Sequence, residues 1–256
     1  MPTLAALRKP PPGSVAWIGF FAAVLAAWVA MYAMARRAGV DWLGPPVELC
    51  GDPMDGFAHL FPMWTAMMAA MMLPTMVPTL RVYDGLIRSG PGTREGWLGL
   101  LAGYLAVWTA FSAAIAAAQV ALVRLGMLDA FGALASPWAS ALLLLAAGAF
   151  QFAPAKTLCH SACVSPMAYF VGRWRPGAGG GLRMGLGLGA FCVGCCWAIM
   201  LLGFVGGAMN LAFMGIATLF MVLEKLPDIG RHLVRPAGAA LIAAGLHVAV
   251  GAALAA

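Results

Sequence analysis

Apolar runs of about twenty residues, the length a helix needs to cross a hydrocarbon layer, recur through this chain and are separated by short segments that hold nearly all of its charge. Soluble domains are about 45–50% apolar and about 25% charged. Here apolar residues make up 63% and charged residues 9%. No stretch is long and polar enough to form a separate soluble domain, so residues 1–256 read as one integral membrane domain. An open sheet cannot satisfy its backbone in lipid, and no ten-residue alternating strands occur, so the expected fold is an all-α, polytopic transmembrane helical bundle.

The expected spans are Val15–Ala35, Phe61–Leu80, Trp97–Val123, Ser136–Pro154, Leu186–Val205, Leu211–Leu223 and Ala237–Ala255. They number about seven, within a range of six to eight, the sixth being short enough to tilt or re-enter. Arg8 and Lys9 followed by a long apolar run resemble a signal peptide, but the run exceeds an h-region of about 7–15 residues, so it is expected to stay as the first span. With the N-terminus cytoplasmic, every Lys and Arg except Arg36, Arg37 and Arg124 falls on the inner side, as orientation by positive charge requires. The net charge of +6 therefore belongs to span flanks, and no nucleic-acid partner is implied. The loop 36–60 becomes extracytoplasmic and holds Asp41, Glu48, Cys50, Asp52, Asp55 and His59. Residues 155–185 become a cytoplasmic-side connector.

Five of the six cysteines fall in two clusters, Cys159/Cys163 and Cys192/Cys195/Cys196. On a helix, Cys192, Cys195 and Cys196 fall within an arc of ~100°, which Met200 extends by ~40°. Cys159 and Cys163 are four residues apart and stack on one face, with His160 beside them and Lys156 placed to favour the Cys159 thiolate. Pro166 limits the local helix, and Gly177, Gly179, Gly180 and Gly181 give the linker freedom to turn back. The two clusters can then face each other as one thiol site. The alternative reading is that buried cysteines pack as small hydrophobes.

Met63, Met67, Met68, Met71, Met72 and Met76 crowd the second span, which then meets Pro74 and Pro78. By helical angle they spread over roughly 220°, so they cannot all line one path, and some must serve as packing. Thiolate and thioether donors select soft metals, Cu(I) first among them, with zinc as the alternative for a thiol-rich site. The proposed ligands are Cys159, Cys163, Cys192, Cys195, Cys196, Met67, Met68, Met71, Met72, Met200 and His160. Gly185/Gly189 and Gly203/Gly207 are GxxxG pairs suited to close helix contact, and Asn210 is placed to bond between helices. Glu224 and Lys225 read as an interfacial pair, with a role in metal release or gating as the alternative; His232 reads as interfacial, and His247 as a hydrogen-bonded bundle residue rather than a ligand.

Trp64-x-x-Met67-Met68-Ala-Ala-Met71-Met72-x-Pro74, Pro154-x-Lys156-x-x-Cys159-x-x-x-Cys163-x-x-Pro166, Cys192-x-Gly194-Cys195-Cys196-Trp197-x-x-Met200, Met209-Asn210-Leu211 and Leu223-Glu224-Lys225 follow one another in this chain. The series resembles a bacterial family of unknown function catalogued as predicted metal-binding integral membrane proteins, over roughly Phe61 to Leu246. The resemblance implies a polytopic inner-membrane protein with a metal role. Members often carry basic residues between the first two cysteines, where this chain has His160-Ser161-Ala162, so His160 as a ligand is not carried over.

The expected function is binding of a soft metal ion, Cu(I) foremost, for transport across or delivery at the bacterial inner membrane. A metallochaperone or membrane-complex partner is the expected acceptor or donor, and no catalytic residues are assigned. No Walker sequence is present, so no ATP-driven step is expected. Two other readings stay open at this stage: a membrane thiol–disulfide oxidoreductase using Cys192-x-x-Cys195, and a non-catalytic accessory subunit of a larger complex.

Overall fold

A computed structural model describes residues 14–37, 56–129, 132–208 and 210–255. Every regular element among them is a helix. In chain order these are α1 (Ser14–Arg37), α2 (Phe57–Ser89), α3 (Arg94–Arg124), α4 (Pro137–Phe150), α5 (Pro154–Val164), α6 (Pro166–Arg173), α7 (Gly177–Leu201), α8 (Gly203–Gly206), α9 (Leu211–Glu224) and α10 (Pro227–Leu254). Proline opens α4, α5, α6 and α10, where its missing N–H costs nothing and its fixed φ favours the first turn.

Among the described residues, five helices are long and apolar enough to cross a membrane: Val15–Arg37, Phe57–Ser89, Arg94–Arg124, Gly177–Gly206 and His232–Leu254. The expected straight span Ser136–Pro154 is instead α4, followed by a 62° bend into α5, and this pair would make a sixth crossing. The expected sixth span, α9, has 14 residues. At ~1.5 Å per residue that is ~21 Å, short of a ~30 Å hydrocarbon core. The seven expected spans thus resolve into five long helices, one bent pair and one short helix. Five crossings would leave the termini on opposite sides, as expected, whereas six would bring them to the same side.

The core is built around α2, which runs through Pro62, Pro74 and Pro78 for 33 residues. The six methionines expected to divide between path and packing are all buried. Trp64 Nε1 donates to Gln119 Oε1 at 2.6 Å, tying α2 to α3 inside the bundle. By contrast, α1 and α10 present apolar side chains outward, among them Ile18, Leu25, Leu246 and Val250.

The closest helix pair is α3 against α7, with glycines on both faces. A Cβ at Gly181 would fall on the backbone of Gly96, and one at Gly185 would meet the Leu100 carbonyl and lie 3.0 Å from Tyr104 N. Gly185 and Gly189 therefore act as expected, while Gly203 has nothing within 4 Å and Gly207, at φ +86°, ends α8. The linker glycines also differ from expectation. Gly179, Gly180 and Gly181 lie inside α7, and only Gly177 takes a positive φ, at +74°. Of the run only Gly181 faces α3; Gly180 turns to Arg175, and Gly179 has nothing within 4 Å. Gly185→Val is expected to overpack this seam and lower stability by about 1–3 kcal/mol, read as an earlier midpoint in a denaturant titration of the purified chain.

The connector that carries the first cysteine cluster is anchored rather than loose. Tyr169 on α6 donates to the Met184 carbonyl of α7 at 2.7 Å. Tyr83 of α2 packs on Phe170 and Trp174 at centroid distances of 5.6 and 5.5 Å. These contacts fasten α6, which follows α5 directly, to α7 and α2.

Candidate metal centre

α7 carries Cys192, Cys195 and Cys196, all buried, and α5 brings Cys163, also buried. The Sγ atoms of Cys163, Cys192 and Cys195 lie within 4.8 Å of one another. A metal–thiolate bond of about 2.3 Å places ligand sulfurs roughly 4 Å apart in trigonal or tetrahedral geometry, so the three fit around one ion. Three sulfurs in an apolar interior suit Cu(I); a closed structural zinc site takes four ligands. Cys196 stands beside the triad, its Sγ 3.3 Å from that of Cys195. All five described cysteines are free.

The remaining expected ligands go elsewhere. Cys159 is only half-buried and packs on α7 at Gly194, whose added Cβ would sit 2.8 Å from its Sγ. Among the described residues it lies outside the mutual triad. His160 faces Glu224, with Nε2 at 3.5 Å from Oε1. Lys156, expected beside the Cys159 thiol, lies 2.6 Å from Glu224 Oε1 and also donates to Gln151 Oε1. Met67, Met68, Met71, Met72 and Met200 are core residues. The methionine beside the pocket is Met76, which with Thr75, Tyr104, Cys163 and Lys225 lines a void of about 10 Å³. Such a void admits about one water-sized particle. Cys50 and the acidic residues of the loop 36–60 lie outside the described residues, apart from His59, which is exposed in the first turn of α2. His247 is exposed on α10 rather than bonded within the bundle, and Asn210 caps α9 by accepting from Phe213 N at 2.9 Å.

Glu224 and Lys225 are not an interfacial pair. Both are buried, and they point to different places. Lys225 Nζ donates to Cys192 Sγ at 3.0 Å and to Thr75 Oγ1 at 2.8 Å. The Tyr104 hydroxyl lies 3.1 Å from the same sulfur and 3.2 Å from Thr75 Oγ1. Thr75 and Tyr104 both donate to the Met72 carbonyl, at 2.8 and 3.3 Å. Cys192 is thus held by groups from α2 and α3 and from the end of α9. The sequence reading did not single out Thr75 or Tyr104. Their signal was a hydroxyl inside an apolar span, where a polar group needs a partner. Metal thiolate complexes of two or three sulfurs carry negative charge, and the Lys225 ammonium offsets it where water cannot.

A bundle of long apolar helices brings three thiols together in a set that could hold a soft metal ion. The chain belongs to the PpoB2 family, described as copper chaperones, which it matches over residues 61–248. That range takes in every cysteine of the centre together with Thr75, Tyr104 and Lys225, and it follows closely the extent of the resemblance to metal-binding membrane proteins. No curated protein and no solved structure matches the chain.

Proposed function

We propose that the protein is a multi-pass copper chaperone of the bacterial inner membrane, which holds Cu(I) between Cys163, Cys192 and Cys195 and passes it to a partner. The observation that carries this reading is the mutual approach of three buried sulfurs from two helices, within 4.8 Å. The family supports copper as the cargo. The five long apolar helices and the outward apolar faces of α1 and α10 support residence in a bilayer. The partner is a metallochaperone or a copper enzyme, and the protein itself carries no catalytic role in this reading. The ion leaves by ligand exchange, which soft thiolate sites permit without any change in oxidation state.

The test is copper retained by purified chain loaded anaerobically with Cu(I) and then challenged with a Cu(I) chelator. Wild type is expected to keep one equivalent. Cys163→Ser and Cys195→Ser are each expected to lose it at chelator concentrations at least tenfold lower. Cys159→Ser is expected to behave as wild type, because its sulfur lies outside the triad. Equal retention by wild type and Cys195→Ser would overturn the reading. A thiol–disulfide relay would instead reveal itself as a stable Cys192–Cys195 disulfide after oxidation, with no copper retained.

A further inference from the structure

The 62° bend between α4 and α5 opens a cavity that the copper reading does not use. Its volume is about 370 Å³, and its walls include Gln151, Phe152, Lys156, His160, Glu224 and Arg235. Ligand cavities of about 300–1,000 Å³ are typical. The inner polar residues are deeply buried: Gln151 is 3% exposed, and Lys156 and Glu224 are each 2% exposed. Three of the buried polar atoms, Gln151 Nε2, His160 Nε2 and Glu224 Oε1, make no hydrogen bond. Lys156 reaches Glu224 as an ion pair without the angle of a hydrogen bond. Glu224 Oε1 has electrostatic contacts with Lys156 Nζ at 2.6 Å and His160 Nε2 at 3.5 Å, yet none of the three atoms has a hydrogen bond; buried polar atoms are almost always bonded, so the cavity holds unmet hydrogen-bonding capacity.

The charges say what kind of partner would meet it. Lys156 and Arg235 supply two fixed cations and Glu224 one anion, which leaves a surplus of one positive charge among the described lining residues. A single carboxylate balances it. The three unbonded atoms comprise an amide donor, an imidazole nitrogen and a carboxylate oxygen, so the occupant must both accept and donate. We propose that this cavity binds a short peptide of net charge −1, a carboxylate meeting Lys156, Gln151 Nε2 and Arg235, and its N–H groups meeting Glu224. The site lies beside the centre in the chain: His160 is one helical turn from Cys163, and Glu224 precedes Lys225. A thiol-bearing member of that class would carry Cu(I) to the wall of the pocket, and only this last link rests on the copper reading.

The probe is S-methylglutathione, which has carboxylates, an ammonium and amides but no free thiol, titrated calorimetrically into the metal-free full chain in detergent. Saturable binding at one site is expected for wild type. Gln151→Leu and Arg235→Ala are each expected to weaken it at least fivefold; Arg235 is exposed at the rim, so its removal leaves the fold intact. Leu246→Ala, on the outward face of α10 and away from the cavity, is expected to bind as tightly as wild type. Absence of saturable binding at millimolar probe, wild-type affinity in both cavity variants, or loss in Leu246→Ala would each overturn the proposal. Failure of the copper reading would appear instead as no copper retained by wild type, and would leave this titration unchanged.

Discussion

Lys225→Leu is expected to weaken Cu(I) retention about 10- to 100-fold while leaving the stoichiometry at one ion. The magnitude rests on the hydrogen bond from Lys225 Nζ to Cys192 Sγ at 3.0 Å and on the usual worth of a hydrogen bond to a charged group, about 1.5–3 kcal/mol. Lys225 is 4% exposed, so solvent does little to replace it. A copper–thiolate unit carries negative charge, and leucine offers neither a charge to offset it nor a new metal donor. Lys225→Arg keeps the charge and should recover part of the loss. The readout is the chelator concentration at which half the copper is removed. If Lys225→Leu holds copper as tightly as wild type, the ammonium has no part in holding the charge of the centre.

Lys156→Met is expected to be the most destabilising single change in the α4–α5 region. It strands the carboxylate of Glu224, which is 2% exposed and 2.6 Å from Lys156 Nζ. Removing one partner of a buried pair costs about 3–5 kcal/mol, because the other charge is left uncompensated. The double change Lys156→Met/Glu224→Gln removes both charges and should restore most of that loss. Denaturant titration in detergent checks this: a single variant as stable as wild type, or a double variant no better than the single, would contradict the pairing. Neither residue belongs to the sulfur triad, so copper retention by the folded double variant should stay close to wild type.

The all-helical character was readable from the apolar runs alone, because their length and the absence of alternation leave no other lipid-stable choice. The meeting of the two cysteine clusters was readable too, since Cys192 and Cys195 share a helix face and Pro166 ends the helix that carries Cys163. What periodicity could not reveal was the direction of individual polar groups. Glu224 and Lys225 are neighbours of opposite charge at the end of an apolar helix, and from sequence alone a pair at the interface is the natural reading. Their true partners, Lys156 and His160 for one and Thr75 and Cys192 for the other, come from three other helices. The glycines after Arg175 read as a flexible linker for a similar reason. The run continues as helix, and its last glycine, Gly181, meets Gly96 of α3. The bend at residues 151–153 had no signal beyond Pro154, which opens α5 as readily as it could have closed a longer span.

A single peptide unit joins Glu224 to Lys225, and it behaves as the beam of a balance with a load at each end. One arm rests on Cys192 and Thr75, the other on Lys156 and His160. Because adjacent side chains leave that unit in different directions, the end of one short helix supplies a cation to the sulfur centre and an anion to the cavity.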